Sequence, residues 1–282
     1  MKHSETFFTT KNIKNIKLAI FSDLHYYDGF KQKTLDIITK QITNTKPDYI
    51  CIVGDIVDES KKMNLNPLTT FLNNISSIAP IICVLGNHDE KSGSLWHWKY
   101  ARNTELINEL KKVPNLHLLE DNIYKDNNIV FYGFNPSYDY YEKYDETYES
   151  FCKEIDTLNV SLPNDTYNIL LIHSPQNIYK YLKNNPSHEF NKIDFILSGH
   201  MHNGCLPFWL SHFLNKVFKT NRGIIAPQKT LFPDFAQGII KRNKDGYIYE
   251  GITKLAHSTR KFQYFDFLYS KNIETIEIKK SN

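Results

Sequence analysis

Asp, His and Asn recur in this sequence in five short groups, each directly behind a run of apolar residues. Asp23-Leu24-His25 follows Ile16–Phe21, Gly54-Asp55-Ile56-Val57-Asp58 follows Tyr49–Val53, and Gly86-Asn87-His88-Asp89 follows Ile81–Leu85. His173 follows Ile169–Ile172, and Gly199-His200-Met201-His202 follows Phe195–Leu197. Carboxylate, imidazole and amide together suit borderline divalent ions such as Mn, Fe, Zn, Co or Ni. No cysteine belongs to the set, which argues against a structural thiolate zinc site. Two carboxylates ~4 Å apart repel by about 4 kcal/mol at an effective dielectric near 20. Gathering Asp23 and Asp55 among neutral imidazoles therefore needs a cation. The donors are too many for one ion, so two divalent metal ions are expected. Two ions roughly 3.5–4 Å apart bracket a phosphoryl group and generate hydroxide at neutral pH. Taken singly, each group reads as an ordinary polar loop; the five together carry the inference.

The apolar runs are short and rich in β-branched residues, as strands buried on both faces are. Between them the spacing predicts helices over Lys31–Asn44, with Leu35, Ile38 and Ile42 on one face, and over Pro67–Ser76. A third, Thr104–Lys112, carries Leu106, Ile107 and Leu110 and stops before Pro114. Strand alternating with helix predicts a largely parallel, helix-covered sheet, whose sites lie at the carboxyl ends of its strands. Leu116–Leu119, Ile129–Phe134 and Gly246–Gly251 read as further strands, with hairpin turns at 126–128 and 243–246. No linker or repeat interrupts the pattern, so residues 1–282 read as a single domain with two sheets.

Composition narrows the class. Of 282 residues, 41% are hydrophobic and 23% charged, which excludes a disordered chain, a collagen and a disulfide mini-protein. Lys and Arg number 34 against 31 Asp and Glu, a net charge of +3, too even to argue for a polyanionic partner. The arginines are Arg102, Arg222, Arg242 and Arg260. Guanidinium makes most bidentate guanine and phosphate contacts, so no nucleic-acid partner is expected. No run of ~18 apolar residues and no signal-peptide core are present, and the reading is a cytoplasmic protein. Cys51, Cys83, Cys152 and Cys205 lack C-x-x-C spacing; Cys51 and Cys83 sit in apolar runs, as buried thiols do.

In order and spacing, Asp23-x-His25, Gly54-Asp55-x-x-Asp58, Gly86-Asn87-His88-Asp89, His173 and Gly199-His200-x-His202 resemble the calcineurin-like metallophosphoesterase superfamily. The resemblance implies an α/β fold, a four-layer sandwich of two mixed β-sheets flanked by helices. It implies one metal held by Asp23, His25 and His202, a second held by Asn87, His173 and His200, and Asp55 bridging both. It places His88 against the substrate, stabilising phosphoryl oxygens or protonating the leaving group. It has Asp58 hydrogen-bond His88 and fix its tautomer, while Asp89 shapes the turn. The implied chemistry is in-line attack on phosphorus by a metal-bridging hydroxide.

Glu59 follows Gly-Asp-Ile-Val-Asp where Ser/Thr protein phosphatases resemble one another in Arg-Gly. Residues Gly199–Gly204 look more similar to the bacterial branch that contains UDP-2,3-diacylglucosamine pyrophosphatases. That branch commonly reads Gly-His-Thr-His-Gly-Gly-Gln; here Asn203 and Cys205 replace a Gly and the Gln. Leu206–Phe218, LPFWLSHFLNKVF, is apolar over most of a helix surface and is followed by Lys219. It reads either as a core helix or as a segment that holds an acyl chain or lies in a membrane interface. Phe208 and Trp209 are its candidate substrate contacts, and the inner membrane face is the place it implies. Trp96, as a pocket wall, and Arg222, as a second phosphate's partner, are further candidates. Tyr138–Tyr148, with five tyrosines among acidic residues, reads as a mobile surface loop. The leading expectation is a two-metal phosphohydrolase for a small-molecule or lipid-linked phosphoester, phosphodiester or pyrophosphate. The alternatives are a cyclic-nucleotide or nucleotide phosphodiesterase and a non-catalytic protein-binding scaffold on the same fold.

Overall fold

Short β-branched runs pair into two six-stranded mixed sheets. The computed structural model of the chain describes residues 3–94, 97–142, 146–184, 192–201, 213–214, 216–217, 238–243, 246–250 and 273–281. The first sheet contains β1 (His3–Thr9), β2 (Ile16–Phe21), β3 (Tyr49–Val53), β4 (Ile81–Val84), β7 (Leu116–Leu118) and β14 (Glu274–Lys280). Its order is β1-β14-β2-β3-β4-β7, with β2, β3, β4 and β7 parallel and β14 antiparallel to β2. The second contains β8 (Asn122–Asp126), β9 (Ile129–Phe134), β10 (Tyr167–Ile172), β11 (Phe195–Leu197), β12 (Gly238–Asn243) and β13 (Gly246–Glu250). Its order is β12-β13-β11-β10-β9-β8, parallel from β9 to β13 with an antiparallel strand at each edge. A separate hairpin joins β5 (Lys91–Ser94) to β6 (His97–Tyr100).

The two-residue period of a strand sorts its side chains into two cores. Cys51, Val53, Ile82 and Val84 join Ile169, Leu171, Phe195 and Leu197 in the layer between the sheets. Their alternates Ile50, Ile52, Ile81 and Cys83 pack outward on α1 (Gln32–Thr45), α2 (Asn66–Ser76) and α3 (Thr104–Lys112). Behind the second sheet, Leu170, Ile172 and Ile196 meet Phe151 and Ile155 of α5 (Tyr148–Ser161) and Ile178 of α6 (Gln176–Asn184). The result is the expected four-layer sandwich, helices outside two face-to-face sheets.

The helix ends follow local chemistry. The Asn103 side chain caps α3 by accepting from the Leu106 N–H at 3.0 Å, and Lys111 and Lys112 occupy its last turn. α1 stops where Lys46 turns left-handed at φ 49°. One expectation is overturned. Residues 138–141 are not a surface loop: Asp139–Glu142 form a short helix, α4, and Tyr138, Tyr140 and Tyr141 are buried. Tyr140 stacks edge-on against Phe151 with ring centroids 6.1 Å apart, which gives its ring a core partner.

Gly133 of β9 sits where a side chain would collide with the layer between the sheets. A Cβ there would meet Leu119 Cβ at 2.2 Å and Val84 Cγ1 at 2.8 Å. Gly133→Ala is therefore expected to cost roughly 1–3 kcal/mol by overpacking. Chemical unfolding of the two proteins checks it, and an unchanged midpoint would show that the sheets part without cost.

Candidate metal centre

Every described donor group lies at the same carboxyl edge. The segments behind β2 and β3 continue the sheet's pairing: Asp23 N–H donates to Gly54 O at 3.0 Å, His25 N–H to Asp55 O at 3.0 Å, and Tyr26 N–H to Ile56 O at 2.8 Å. Across the sandwich, Gly199 N–H donates to His173 O at 2.8 Å. The two sheets' loops also meet each other: the His200 N–H points at the Asp23 carboxylate, 3.2 and 3.1 Å from its oxygens.

The backbone bends sharply to present these side chains. Asp23, His25, Asp55 and His200 have φ of 57°, 46°, 51° and 70°. Asp and His tolerate the left-handed region better than most residues, and such conformations gather at functional sites. The glycines of the motifs have a steric reason. A Cβ on Gly86 would lie 2.2 Å from Asp55 Oδ1, and one on Gly199 would lie 2.8 Å from Asp23 Oδ2.

Two sets of donors result, and they share a residue. Ligating atoms of His25, Asp55 and His88 lie within 4.8 Å of one another, as do those of Asp55, His173 and His200. Asp23 and Asp55 are fully buried. His25 Nε2 is 3.6 Å from Asp55 Oδ2 and 3.9 Å from Asp23 Oδ1. His173 Nε2 is 3.2 Å from Asp55 Oδ2 but not aligned for a hydrogen bond. Asp55 Oδ2, Asn87 Oδ1, His173 Nε2 and both ring nitrogens of His200 are buried without a hydrogen-bond partner among the described residues. Buried polar atoms are ordinarily paired. Buried donors that converge with no hydrogen bonds to one another fit a cation, and oxygen with imidazole nitrogen suits a borderline divalent ion.

Electrostatics agrees. Burial pushes the Asp23 carboxyl up to about 6, with Asp55 adding to the rise and His173 and His25 opposing it. Burial works against a charged His173, yet Asp55 and Asp23 beside it lift it to about 9. The site draws positive charge.

The tautomers are set from behind. A carbonyl only accepts, so His173 Nδ1 donates to Val53 O at 2.7 Å and leaves Nε2 facing Asp55. His88 Nδ1 likewise donates to the backbone carbonyl of Asp58 at 2.6 Å. This alters the part expected of Asp58. Its carboxylate lies 3.4 Å from His25 Nδ1 and 3.9 Å from His88 Nδ1, so the side chain serves His25 and the main chain orients His88. The His88 side chain is 19% exposed against 1% for His25, the more open position. Asp89 shapes the turn as expected: its oxygens accept from Val57 N–H at 2.9 Å and Gly86 N–H at 2.8 Å.

Of the remaining candidates, His202, Trp96, Phe208, Trp209 and Arg222 lie outside the described residues. In the 206–218 segment, Phe213 and Val217 are described, and they are 58% and 56% exposed. No described helix is long and apolar enough to cross a membrane. Sequence reasoning missed Tyr141. Its ring stands 5.5 Å from that of His200 and 6.2 Å from that of His173. The one available signal was its place seven residues beyond the end of β9, on the edge that carries His173.

A sequence model of the calcineurin-like phosphoesterases matches residues 16–204. The chain belongs to that family. It is thereby a metal-dependent phosphoester hydrolase. An uncharacterized metallophosphoesterase of Aquifex aeolicus is 27% identical over 216 residues, 76% of this chain and 74% of that one. Another from Helicobacter pylori is 28% identical over 198 residues, 70% of this chain but 47% of its own length. The chain thus spans about half of that relative. The solved structure of phosphopantetheinyl hydrolase from Mycobacterium tuberculosis overlaps with a TM-score of 0.38 at 14% identity, covering 65% of this chain and 82% of that one.

Asp89→Ala leaves two buried N–H groups without acceptors, at roughly 1–3 kcal/mol each. Lower thermal stability together with weaker metal retention is expected in dialysis followed by elemental analysis. Unchanged metal content would show that the turn holds without the clamp.

Proposed function

We propose that the chain hydrolyses a phosphoester of a small molecule at a two-metal centre. In this reading residues 1–282 work as one domain. Asp23, His25 and His202 would hold one divalent ion, and Asn87, His173 and His200 a second, with Asp55 common to both. The observation that carries it is the shared Asp55: two donor sets of imidazole and carboxylate meet on one buried carboxylate. Bound there, divalent ions supply Lewis acidity toward phosphoryl oxygens and hydroxide at neutral pH.

The chain's own groups do the rest. Asp58 positions His25 through its carboxylate. Val53 O fixes the His173 tautomer. His88 donates its Nδ1 proton to Asp58 O, and in this reading Nε2 is the nitrogen that meets the substrate. Nε2 accepts a hydrogen bond when the ring is neutral and donates to a phosphoryl or leaving-group oxygen when it is cationic. His88 falls within reach of His25 and Asp55; its greater exposure favours contact with substrate over ligation.

Metal-stripped protein with Mn, Zn, Fe(II), Co or Ni restored should cleave bis-p-nitrophenyl phosphate or p-nitrophenyl phosphate. Asp55→Asn should lose that activity and retain fewer than two ions. His88→Asn should lower kcat by roughly 10²–10⁴-fold, the usual weight of a proton-transfer group, with metal content unchanged. Loss of metal from His88→Asn would make His88 a ligand instead. Full ion content with no cleavage of any phosphoester would overturn the hydrolytic reading.

A further inference from the structure

Beside the metal centre lies a cavity of about 430 Å³. Its walls are Glu90, Tyr100, Arg102, Asp121, Tyr138 and Asp139, with residues 135–137 between them. Three observations tie it to the centre. Glu90 directly follows Asp89 of the Gly-Asn-His-Asp turn. Asn135 follows Phe134, which pairs with Ile172, the residue before His173. A row of rings also runs from one to the other, Tyr100 to Tyr138 at 6.1 Å, Tyr138 to Tyr141 at 6.4 Å and Tyr141 to His200 at 5.5 Å. A cavity of this volume takes a small organic group.

Its chemistry selects among such groups. The lining carries the carboxylates of Glu90, Asp121 and Asp139 against the one guanidinium of Arg102. That guanidinium is already matched twice, by Glu90 at 3.2 Å and by Glu120 on its other nitrogen. A second phosphate would meet net negative charge. An acyl chain would bury carboxylates away from water. A planar base sandwiched between Tyr100 and Tyr138 would need parallel rings, and these are inclined at 50°. Two inclined aromatic faces beside carboxylates suit a compact cation.

We propose that this cavity receives the alcohol arm of the substrate and selects an arm that carries a positive charge, so that the substrate is a phosphoester of a small amino alcohol. This rests on the hydrolytic reading above, which puts the phosphate at Asp55.

The test separates the two. Saturation-transfer NMR on the metal-reconstituted chain reads binding of choline against dimethylbutanol, its uncharged carbon isostere. Choline should bind at least about tenfold more tightly, a difference of about 1.4 kcal/mol. Asp121→Asn with Asp139→Asn should remove most of that preference, and Tyr100→Leu part of it. Equal binding of the two, or tighter binding of glycerol or ribose, overturns the proposal. In turnover, p-nitrophenyl phosphorylcholine should exceed the p-nitrophenyl ester of dimethylbutyl phosphate by the same factor in kcat/KM. Equal hydrolysis of both esters overturns the cavity assignment and leaves the hydrolytic reading standing. Choline preference with no hydrolysis of any ester overturns the hydrolytic reading and leaves the cavity's charge selectivity standing.

Discussion

Asp23 and Asp55 are carboxylates with no exposed surface, held at the edge where two sheets meet. Like charges in a water-poor site repel strongly, and the surrounding structure is an answer to that repulsion. Asp23 accepts from the Ser22 hydroxyl and faces the His200 N–H. Asp55 Oδ1 accepts from the His88 N–H at 2.8 Å. Asp55 Oδ2 remains, turned toward His25 and His173. What these contacts leave uncompensated is the charge that divalent ions match in the family to which the chain belongs.

The sandwich makes this arrangement stiff. Parallel strands deliver their carboxyl ends to a common edge, so β2, β3 and β4 present Asp23, His25, Asp55 and His88 side by side. β10 and β11 bring His173 and His200 from the opposite sheet. The spacing between these halves rests on inter-sheet packing together with the His173–Val53 and His200–Asp23 contacts that cross it. Gly133 against Leu119 and Val84 is one such close contact. A well-packed interior transmits small displacements, so the geometry at Asp55 depends on side chains between the sheets.

Behind the donors, main-chain carbonyls of Val53 and Asp58 orient two histidines. A carbonyl in a strand or its continuation cannot rotate as a side chain does. Orientation by the backbone ties each imidazole to the sheet itself. The tyrosine row from Tyr100 to Tyr141 extends the same edge outward and gives the centre a wall on the side of the second sheet.

Much of this was legible in the chain because its signals are local. Ile16–Phe21, Tyr49–Val53, Ile129–Phe134 and Phe195–Leu197 are strands as the runs of β-branched and apolar residues required, and Thr104–Lys112 is a helix between Asn103 and Pro114. The donor types and the glycines beside them announced a metal site through their spacing alone. Other features depend on contacts distant in sequence. β14, reading ETIEIKK, is a strand because it lies between β1 and β2, where Ile276 and Ile278 reach the inter-sheet core. Tyr138 and Tyr141 leave the surface because Tyr100 and the His173–His200 pair give their rings somewhere to pack. Asp58 serves His25 with its carboxylate and His88 with its carbonyl, a division set by where two sheet ends stop. Residue type and spacing thus determined which chemistry the chain can hold. Long-range packing alone decided which atom of each residue faces it.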